Sequence, residues 1–119
     1  MRLETSKIQT YIGFCIRACK IIFGAEMIER HKKGIPLLLI DGSIGKNSLK
    51  TILQVRERQG CPLYQTAEGA LGEWVHRPAV KVVAIQDNHL AEAIIKAAAG
   101  EPKLKLYSGG INETYGKEI

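Results

Sequence analysis

Hydrophobic positions along the chain switch between a helical spacing of three to four residues and the continuous runs typical of buried strands. Polar and glycine-rich segments separate these stretches, and most expected helices follow a side chain that can cap free N–H groups. The pattern predicts five helices. The first is capped by Thr5 or Ser6 and reaches Ala18, the second covers 25–33 and is ended by Gly34, the third is capped by Asn47 or Ser48 and reaches Gln59, the fourth is capped by Thr66, and the fifth is capped by Asp87 or Asn88. Between them it predicts a short apolar piece at 21–23 and strands over 35–40, 62–65 and 80–85.

This alternation of helices and strands predicts an α/β fold, specifically a three-layer α/β/α sandwich whose central mixed sheet has about four strands. A chain of 119 residues is long enough to bury one core without disulfides or metals. We therefore expect residues 1–100 to form a single domain. Residues 101–119 are expected to be a C-terminal tail, with one added strand over 103–107 as an option.

Apolar run length and cysteine content indicate a cytoplasmic protein with no membrane partner. The longest apolar run, 35–40, is far too short to span a bilayer, and the polar N-terminus is unlike a secretory leader. Three cysteines without C-x-x-C spacing favour neither a disulfide framework nor a zinc site. Cys15 and Cys19, four residues apart in a helical stripe, are interpreted as small apolar core residues.

Positive charge is concentrated in the first half of the chain. Residues 1–60 contain eleven Lys and Arg against five Asp and Glu, whereas residues 61–119 contain six against seven. A positive field confined to half of a small domain favours a polyanionic partner. A solvated basic surface with no partner would give the same count, so charge alone does not decide between the two.

A glycine-rich segment, 42–48, lies between a predicted strand and a predicted helix, which is a context that suits phosphate binding. The P-loop pattern is not met, because Ile40 stands at its first glycine and Asn47 follows Lys46 in place of Ser or Thr. Nucleotide binding at this segment is kept as a weaker option. Binding of a nucleic-acid phosphate there, with Lys46, is the more plausible interpretation.

The residue types needed for catalysis are present but scattered. None of the three histidines lies at ligand spacing from another His or a Cys, and no serine occupies a nucleophile elbow. We therefore predict no enzymatic activity, no catalytic residues, no metal site and no cofactor.

The turn around Gly24 is the strongest candidate site. Glycine lets a backbone approach a ligand closely, and the N–H groups of a following helix attract phosphate. Five basic residues lie within seventeen positions around it, namely Arg17, Lys20, Arg30, Lys32 and Lys33.

Several segments in order resemble one known family, over roughly residues 6–99. The run 13–20 (GFCIRACK) is similar to a Gly–apolar–Arg-Ala-Gly-Lys segment, and Gly24-Ala25-Glu26 to the start of a turn and helix. The other segments are the apolar strand and small-residue turn 37–43, the Pro-led strand 61–63, the Leu-Gly pair 71–72, and the strand and helix start 82–91. Together they resemble the kink-turn-binding ribosomal-protein family of the L-seven-Ae/L-thirty-e type, and its small bacterial members in particular.

The resemblance implies a non-catalytic, RNA-binding α/β/α domain that recognises sharply bent RNA with tandem sheared G·A pairs, in a ribosomal or other translation-associated ribonucleoprotein. The expected partners are structured RNA, ribosomal or otherwise non-coding, and the ribosome itself. The chain departs from the family pattern where Cys19 replaces Gly, Glu26 replaces Asn or Lys, and Arg30 replaces Lys. The predicted RNA-binding residues are Arg17, Lys20, Gly24, Ala25, Glu26, Arg30, Lys32, Lys33, Lys46, Arg77 and Pro78.

A second function remains open at this stage. The same fold class includes members that act by binding proteins, so the chain is alternatively a protein–protein interaction module with weak or no RNA binding. Salt dependence separates the two, because binding to RNA weakens steeply with ionic strength.

Overall fold

The computed structural model describes residues 6–108, which form five helices around one five-stranded mixed sheet. The strand order is β1-β4-β2-β3-β5, in which β2 and β3 are parallel and the other neighbours antiparallel. The elements are α1 (Lys7–Arg17), β1 (Ile21–Phe23), α2 (Ala25–Arg30), β2 (Leu37–Asp41), α3 (Lys46–Gln59), β3 (Leu63–Thr66), α4 (Ala70–Val75), β4 (Val82–Ile85), α5 (Asn88–Ala98) and β5 (Leu104–Leu106).

Helices cover the sheet on both faces, which confirms the predicted α/β/α sandwich. Central strand β2 is buried at every residue, and its side chains alternate between two cores, as strand geometry requires. Leu37 and Leu39 pack with buried residues of α1, α4 and α5, whereas Leu38 and Ile40 pack with those of α2 and α3. This is why the run 35–40 is continuously apolar rather than alternating.

The sheet has five strands, so the expectation of about four was one short. The additional strand is β5, which pairs antiparallel with β3 and buries Leu104. Residues 101–106 therefore belong to the folded unit, and the expected domain boundary at residue 100 was placed too early. The option of a strand over 103–107 is confirmed, while positions 109–119 of the expected tail lie outside the described residues.

Helix α2 ends at Arg30 rather than at residue 33, because its last carbonyls are bonded to α3 instead of to a further helical turn. The Arg58 guanidinium donates to the carbonyls of Glu29 and His31, each at 3.3 Å. The Gln59 amide donates to the Lys33 carbonyl at 3.1 Å and accepts from the Ile35 N–H at 3.0 Å. The segment between α2 and β2 is consequently held against the end of α3.

Two helix starts also differ from the predicted caps. Gly45 precedes α3, in place of Asn47 or Ser48, and Gly69 precedes α4, three residues beyond Thr66. Ser6 and Asp87 cap α1 and α5 as expected, accepting from backbone N–H groups two and three residues on. The α4 start is stabilised by a distant side chain, Asp41, described next.

Asp41 is a buried carboxylate at the end of β2 and joins three segments of chain. It accepts hydrogen bonds from the N–H and hydroxyl of Ser43, from the Thr66 hydroxyl at 3.0 Å, and from the N–H groups of Gly69 and Leu71 at 3.0 and 3.1 Å. Burial raises the pKa of Asp41, but these hydrogen bonds outweigh burial and lower the pKa from 3.8 to about 2. Asp41 therefore remains ionised and takes the place of a local cap for α4.

In the described residues, no helix is long and apolar enough to cross a membrane.

Candidate nucleic-acid interface

Strands β1, β2 and β3 point the same way, so the sheet has two structurally distinct ends. We call the end at which these strands finish the Asp41 end, and the end at which they start the Lys20 end. Helix α2 follows β1 at the Asp41 end and returns the chain to the Lys20 end. The predicted RNA-binding residues are divided between these two ends.

Gly24 forms the turn between β1 and α2 at the Asp41 end. Its backbone has φ 92° and ψ 141°, a conformation that glycine adopts readily and other residues rarely do. The Gly24 N–H donates to the Val82 carbonyl at 3.1 Å, which fixes the turn to β4. No side chain caps α2, so N–H groups of its first turn, Ala25 and Glu26 among them, have no side-chain acceptor. The predicted turn is therefore present and rigidly held.

The loop 76–81 lies beside the Gly24 turn, because it enters β4 at the end where β1 finishes. The Arg77 guanidinium stacks over the Phe23 ring, 4.2 Å from its centroid, immediately before Gly24. Pro78 and Arg77 pack on α4 through Gly72, where an added Cβ would lie 3.0 Å from their backbone atoms. The structure thus places the Arg77 guanidinium next to the Gly24 turn and Pro78 against α4.

Carboxylates shape the surface on the other side of this turn. A groove of about 230 Å³ separates the starts of α2 and α3, and Glu26 and Glu29 line it together with four neutral residues. Glu26 also pairs with Arg30 at 3.5 Å. Both partners are exposed, so the pair adds little to stability. The negative charge nevertheless works against a phosphate at this position.

A basic groove of about 590 Å³ lies at the Lys20 end. Its walls are the turn between α1 and β1 and the segment between α2 and β2, and Gln86 at the end of β4 forms part of its lining. None of its lining residues is acidic. Four of the predicted RNA-binding residues line it, namely Lys20, Arg30, Lys32 and Lys33.

Two predicted residues belong to neither cluster. Arg17 lies in the last turn of α1, where its guanidinium stacks over the exposed Phe14 ring at 5.0 Å. Lys46 is exposed at the first position of α3, at the Asp41 end. The sequence grouped the eleven residues into one site, whereas the structure divides them into a turn-and-loop surface and a basic groove.

The glycine-rich segment 42–48 is occupied by its own hydrogen bonds. The N–H groups of Ser43 and Ile44 both donate to Asp41, to its side chain and to its carbonyl respectively. A Cβ at Gly42 would lie 2.9 Å from the Thr66 carbonyl oxygen, so this glycine is needed for packing. The N–H groups of Ser43 and Ile44 are therefore taken, while no side chain caps the start of α3 at Gly45.

Within residues 6–108, no group of three or more His, Cys, Asp or Glu side chains is arranged to hold a metal ion. Cys15 and Cys61 are buried thiols. Burial, together with a smaller effect of the Asp87 carboxylate, raises the pKa of the Cys15 thiol to about 11. Burial also raises the pKa of the Cys61 thiol. Cys19 is exposed beside the basic groove, so the interpretation of Cys19 as a core residue was wrong.

Sequence reasoning missed Gln86, His31 and Phe23, which line the groove or support Arg77. Gln86 follows the apolar strand β4 directly, and this position at a strand end was the available signal. The sequence contained no signal for the role of Phe23, because Arg77, which stacks on it, is 54 residues away along the chain.

Comparison with known proteins establishes the fold alone. No family model matches the chain, and no curated protein matches it. Among solved structures, 78 chains match. One of them, a protein of unknown function from Bacillus halodurans, aligns with a TM-score of 0.70 and 16% sequence identity, over 78% of this chain and 97% of its own. This likeness supports the α/β assignment.

Proposed function

We propose that this protein is a non-catalytic RNA-binding protein that recognises structured, kink-turn-like RNA and acts in the cytoplasm with the ribosome or another ribonucleoprotein of translation. The observation on which the proposal rests is the meeting of the Gly24 turn with the Arg77–Pro78 loop. Both segments are fixed by backbone contacts, to Val82 and to Gly72, and both leave polar groups exposed.

This arrangement suits a bent RNA better than a regular helix. The A-form major groove is too deep and narrow to be read by side chains, whereas unpaired and splayed nucleotides expose base edges and faces. The uncapped start of α2 offers backbone donors, and Arg77, held flat over Phe23, offers a planar guanidinium for phosphate or a base. Glu26 can accept a hydrogen bond from a guanine amino group while repelling adjacent phosphates.

The test is binding to a kink-turn RNA with tandem G·A pairs, measured by fluorescence anisotropy at several salt concentrations. We expect Arg77→Glu, at the Gly24 turn, to weaken binding at least about tenfold, because it replaces attraction to phosphate by repulsion. Circular dichroism and thermal melting check that the fold is intact. Lys103→Glu is the matched control, because Lys103 is exposed beside β5 at the far edge of the sheet.

Glu26→Gln gives the opposite expectation. Loss of the carboxylate removes repulsion of nearby phosphates, so affinity for the RNA is expected to rise about threefold at low salt. Absence of binding to any structured RNA at low salt, or equal affinities of the native protein and Arg77→Glu, would overturn the proposal.

The alternative of a protein-interaction module is favoured by one observation. Met27, in the first turn of α2, is 55% exposed and places an apolar side chain next to Glu26. Met27→Lys distinguishes the functions, since it strengthens RNA binding through added charge but weakens an apolar protein interface. Affinity that is insensitive to salt would favour the protein interface.

A further inference from the structure

We propose that the basic groove at the Lys20 end binds a phosphate group of a single-stranded RNA segment that flanks the structured element recognised at Gly24. This inference rests on the proposed function, to which it adds a second RNA-binding site and the class of RNA that fills it.

Of the four Lys and Arg side chains that line the groove, three are uncompensated in the described part of the chain, and Arg30 is paired with Glu26. Among residues 6–108 the ion pairs are Glu26–Arg30 and Glu92–Lys96, so Lys20, Lys32 and Lys33 have no acidic partner there. All three are exposed and face one concave surface with no lining carboxylate. Concentrating like charges in this way destabilises a fold slightly and is offset only when a polyanion binds.

Both walls of the groove are held by backbone hydrogen bonds, so the cations are presented on a fixed frame. On one wall, the Lys20 N–H donates to the Cys15 carbonyl at 2.8 Å and the Lys20 carbonyl accepts from the Gln86 N–H at 2.9 Å. On the other wall, Arg58 and Gln59 hold the carbonyls of residues 29, 31 and 33. Binding of phosphate then orders the lysine side chains without the added cost of ordering the backbone.

The shape of the groove favours an unpaired nucleotide over a duplex. Its volume of about 590 Å³ is within the range of small-ligand sites and exceeds the needs of a lone phosphate. A second groove of about 290 Å³ shares Gly34 and Gln86 with it and is lined by further polar side chains, Gln59 and Asn88. The Gln59 amide is bonded to Lys33 and Ile35, so the amides of Gln86 and Asn88 are the ones that suit a nucleotide whose base edge is free for hydrogen bonding.

The position of the groove is consistent with one RNA contacting both sites. Helix α2 has six residues, so it separates the Gly24 turn from the groove by roughly 9 Å along its axis. An RNA strand leaving the Gly24 turn can therefore reach the groove within a few nucleotides. The groove then selects RNAs in which the bent element continues into a single strand.

The experiment compares kink-turn RNA with and without a single-stranded extension of uridines, placed at either the 5′ or the 3′ end. One of the extensions is expected to tighten binding by the native protein about tenfold. The double variant Lys32→Gln/Lys33→Gln is expected to lose this gain, while binding the unextended RNA within about threefold of the native affinity. For the extended RNA, the slope of log affinity against log salt concentration is expected to be about 1.4 smaller in magnitude for this variant than for the native protein, because two lysine contacts to a single strand are lost.

Lys103→Gln/Lys105→Gln is the matched control, because it removes the same charge at the β5 edge and is expected to keep the gain. The inference is overturned if neither extension tightens native binding, or if the Lys32/Lys33 variant keeps the gain. In either case binding of the unextended RNA leaves the proposed function standing. If the native protein binds none of these RNAs at low salt, the proposed function and the inference both fail.

A small phosphorylated molecule is the other source of the same chemistry, and an NMR titration with inorganic pyrophosphate distinguishes it. The RNA assignment is overturned, and the groove is assigned to a small ligand, if three results are obtained together. Pyrophosphate saturates at micromolar concentration, the amide shifts are confined to residues 19–20 and 31–34, and neither RNA extension tightens binding. Weak, unsaturated shifts together with the gain from an extension would support the RNA assignment.

Discussion

The two ends of the sheet use charge in opposite ways. At the Asp41 end a single buried carboxylate accepts hydrogen bonds from five donor groups in three segments, so its charge stabilises the contacts between these loops. At the Lys20 end the loops are held by backbone groups and by Arg58 and Gln59, while three lysines remain without an acidic partner in the described residues. The charge of Asp41 therefore serves the stability of its end of the sheet, whereas the three lysines of the Lys20 end are free to contact the RNA proposed above.

Because of this contrast, substitutions can change the stability of the protein and its proposed affinity for RNA separately. Substitutions at Asp41 are expected to lower stability, and to lower affinity only through unfolding. Neutral substitutions of Lys32 and Lys33 are expected to leave the free energy of unfolding within about 0.5 kcal/mol of native.

Asp41→Ala is expected to lower the free energy of unfolding by about 3 kcal/mol, because it leaves the buried Leu71 N–H without an acceptor and removes the bonds that tie Ser43, Thr66 and Gly69 to β2. Urea denaturation followed by circular dichroism measures the change. Asp87→Ala is the matched control. That carboxylate accepts one local cap bond, from Leu90, and its loss is expected to cost about 1 kcal/mol. Equal losses in the two variants would refute the role of Asp41 as a hub.

Acid should weaken the Asp41 end selectively. With a pKa lowered from 3.8 to about 2, ionised Asp41 contributes about 2 kcal/mol of stability, fully present above pH 4 and lost as the pH falls from about 4 to about 2. The difference in unfolding free energy between the native protein and Asp41→Ala should shrink by this amount over that interval. A difference that is constant from pH 6 to pH 2 would show that folding does not lower the pKa of Asp41.

The Asp41 network also marks the limit of what the sequence could predict. The α/β/α layering followed from the spacing of apolar residues, because burial on both sheet faces leaves a direct pattern in strands such as β2. The starts of α3 and α4 did not follow from local capping residues, since α4 is capped by a carboxylate thirty positions earlier in the chain. Likewise, the shortening of α2 depends on side chains of α3, a tertiary effect with no local signal.

The sequence identified most residues of the candidate site, but it did not show how they are arranged in space. Local charge and the Gly24 turn identified the basic residues and the uncapped helix start. The division into two surfaces required the strand directions, because six residues of α2 are enough to carry Lys32 and Lys33 to the other end of the sheet. The stacking of Arg77 on Phe23 likewise depends on the pairing of β1 with β4.

Gly24→Ala tests the backbone of the turn at the Asp41 end. An added Cβ meets no atom within 4 Å, but φ of 92° is strained for alanine, so we expect a loss of about 1–2 kcal/mol in unfolding free energy. Gly34→Ala, at the Lys20 end, is the matched control. Its Cβ also has open space and its φ is outside the left-handed range, so it should be neutral or slightly stabilising. Similar effects of the two substitutions would argue against a special role of the Gly24 conformation.

The smallest effect is a gain at the Lys20 end. Cys19 has φ 57° in the turn after α1, where its N–H donates to the Ile16 carbonyl and the next N–H donates to the Cys15 carbonyl, an arrangement that favours glycine. Cys19→Gly relieves this strain but makes the unfolded chain more flexible, so we expect a net stabilisation of about 0.5–1 kcal/mol. Cys19→Ala removes the thiol and keeps the strain, so its unfolding free energy should stay close to native. If glycine and alanine gave the same stability, the left-handed turn would not be a source of strain at this end of the sheet.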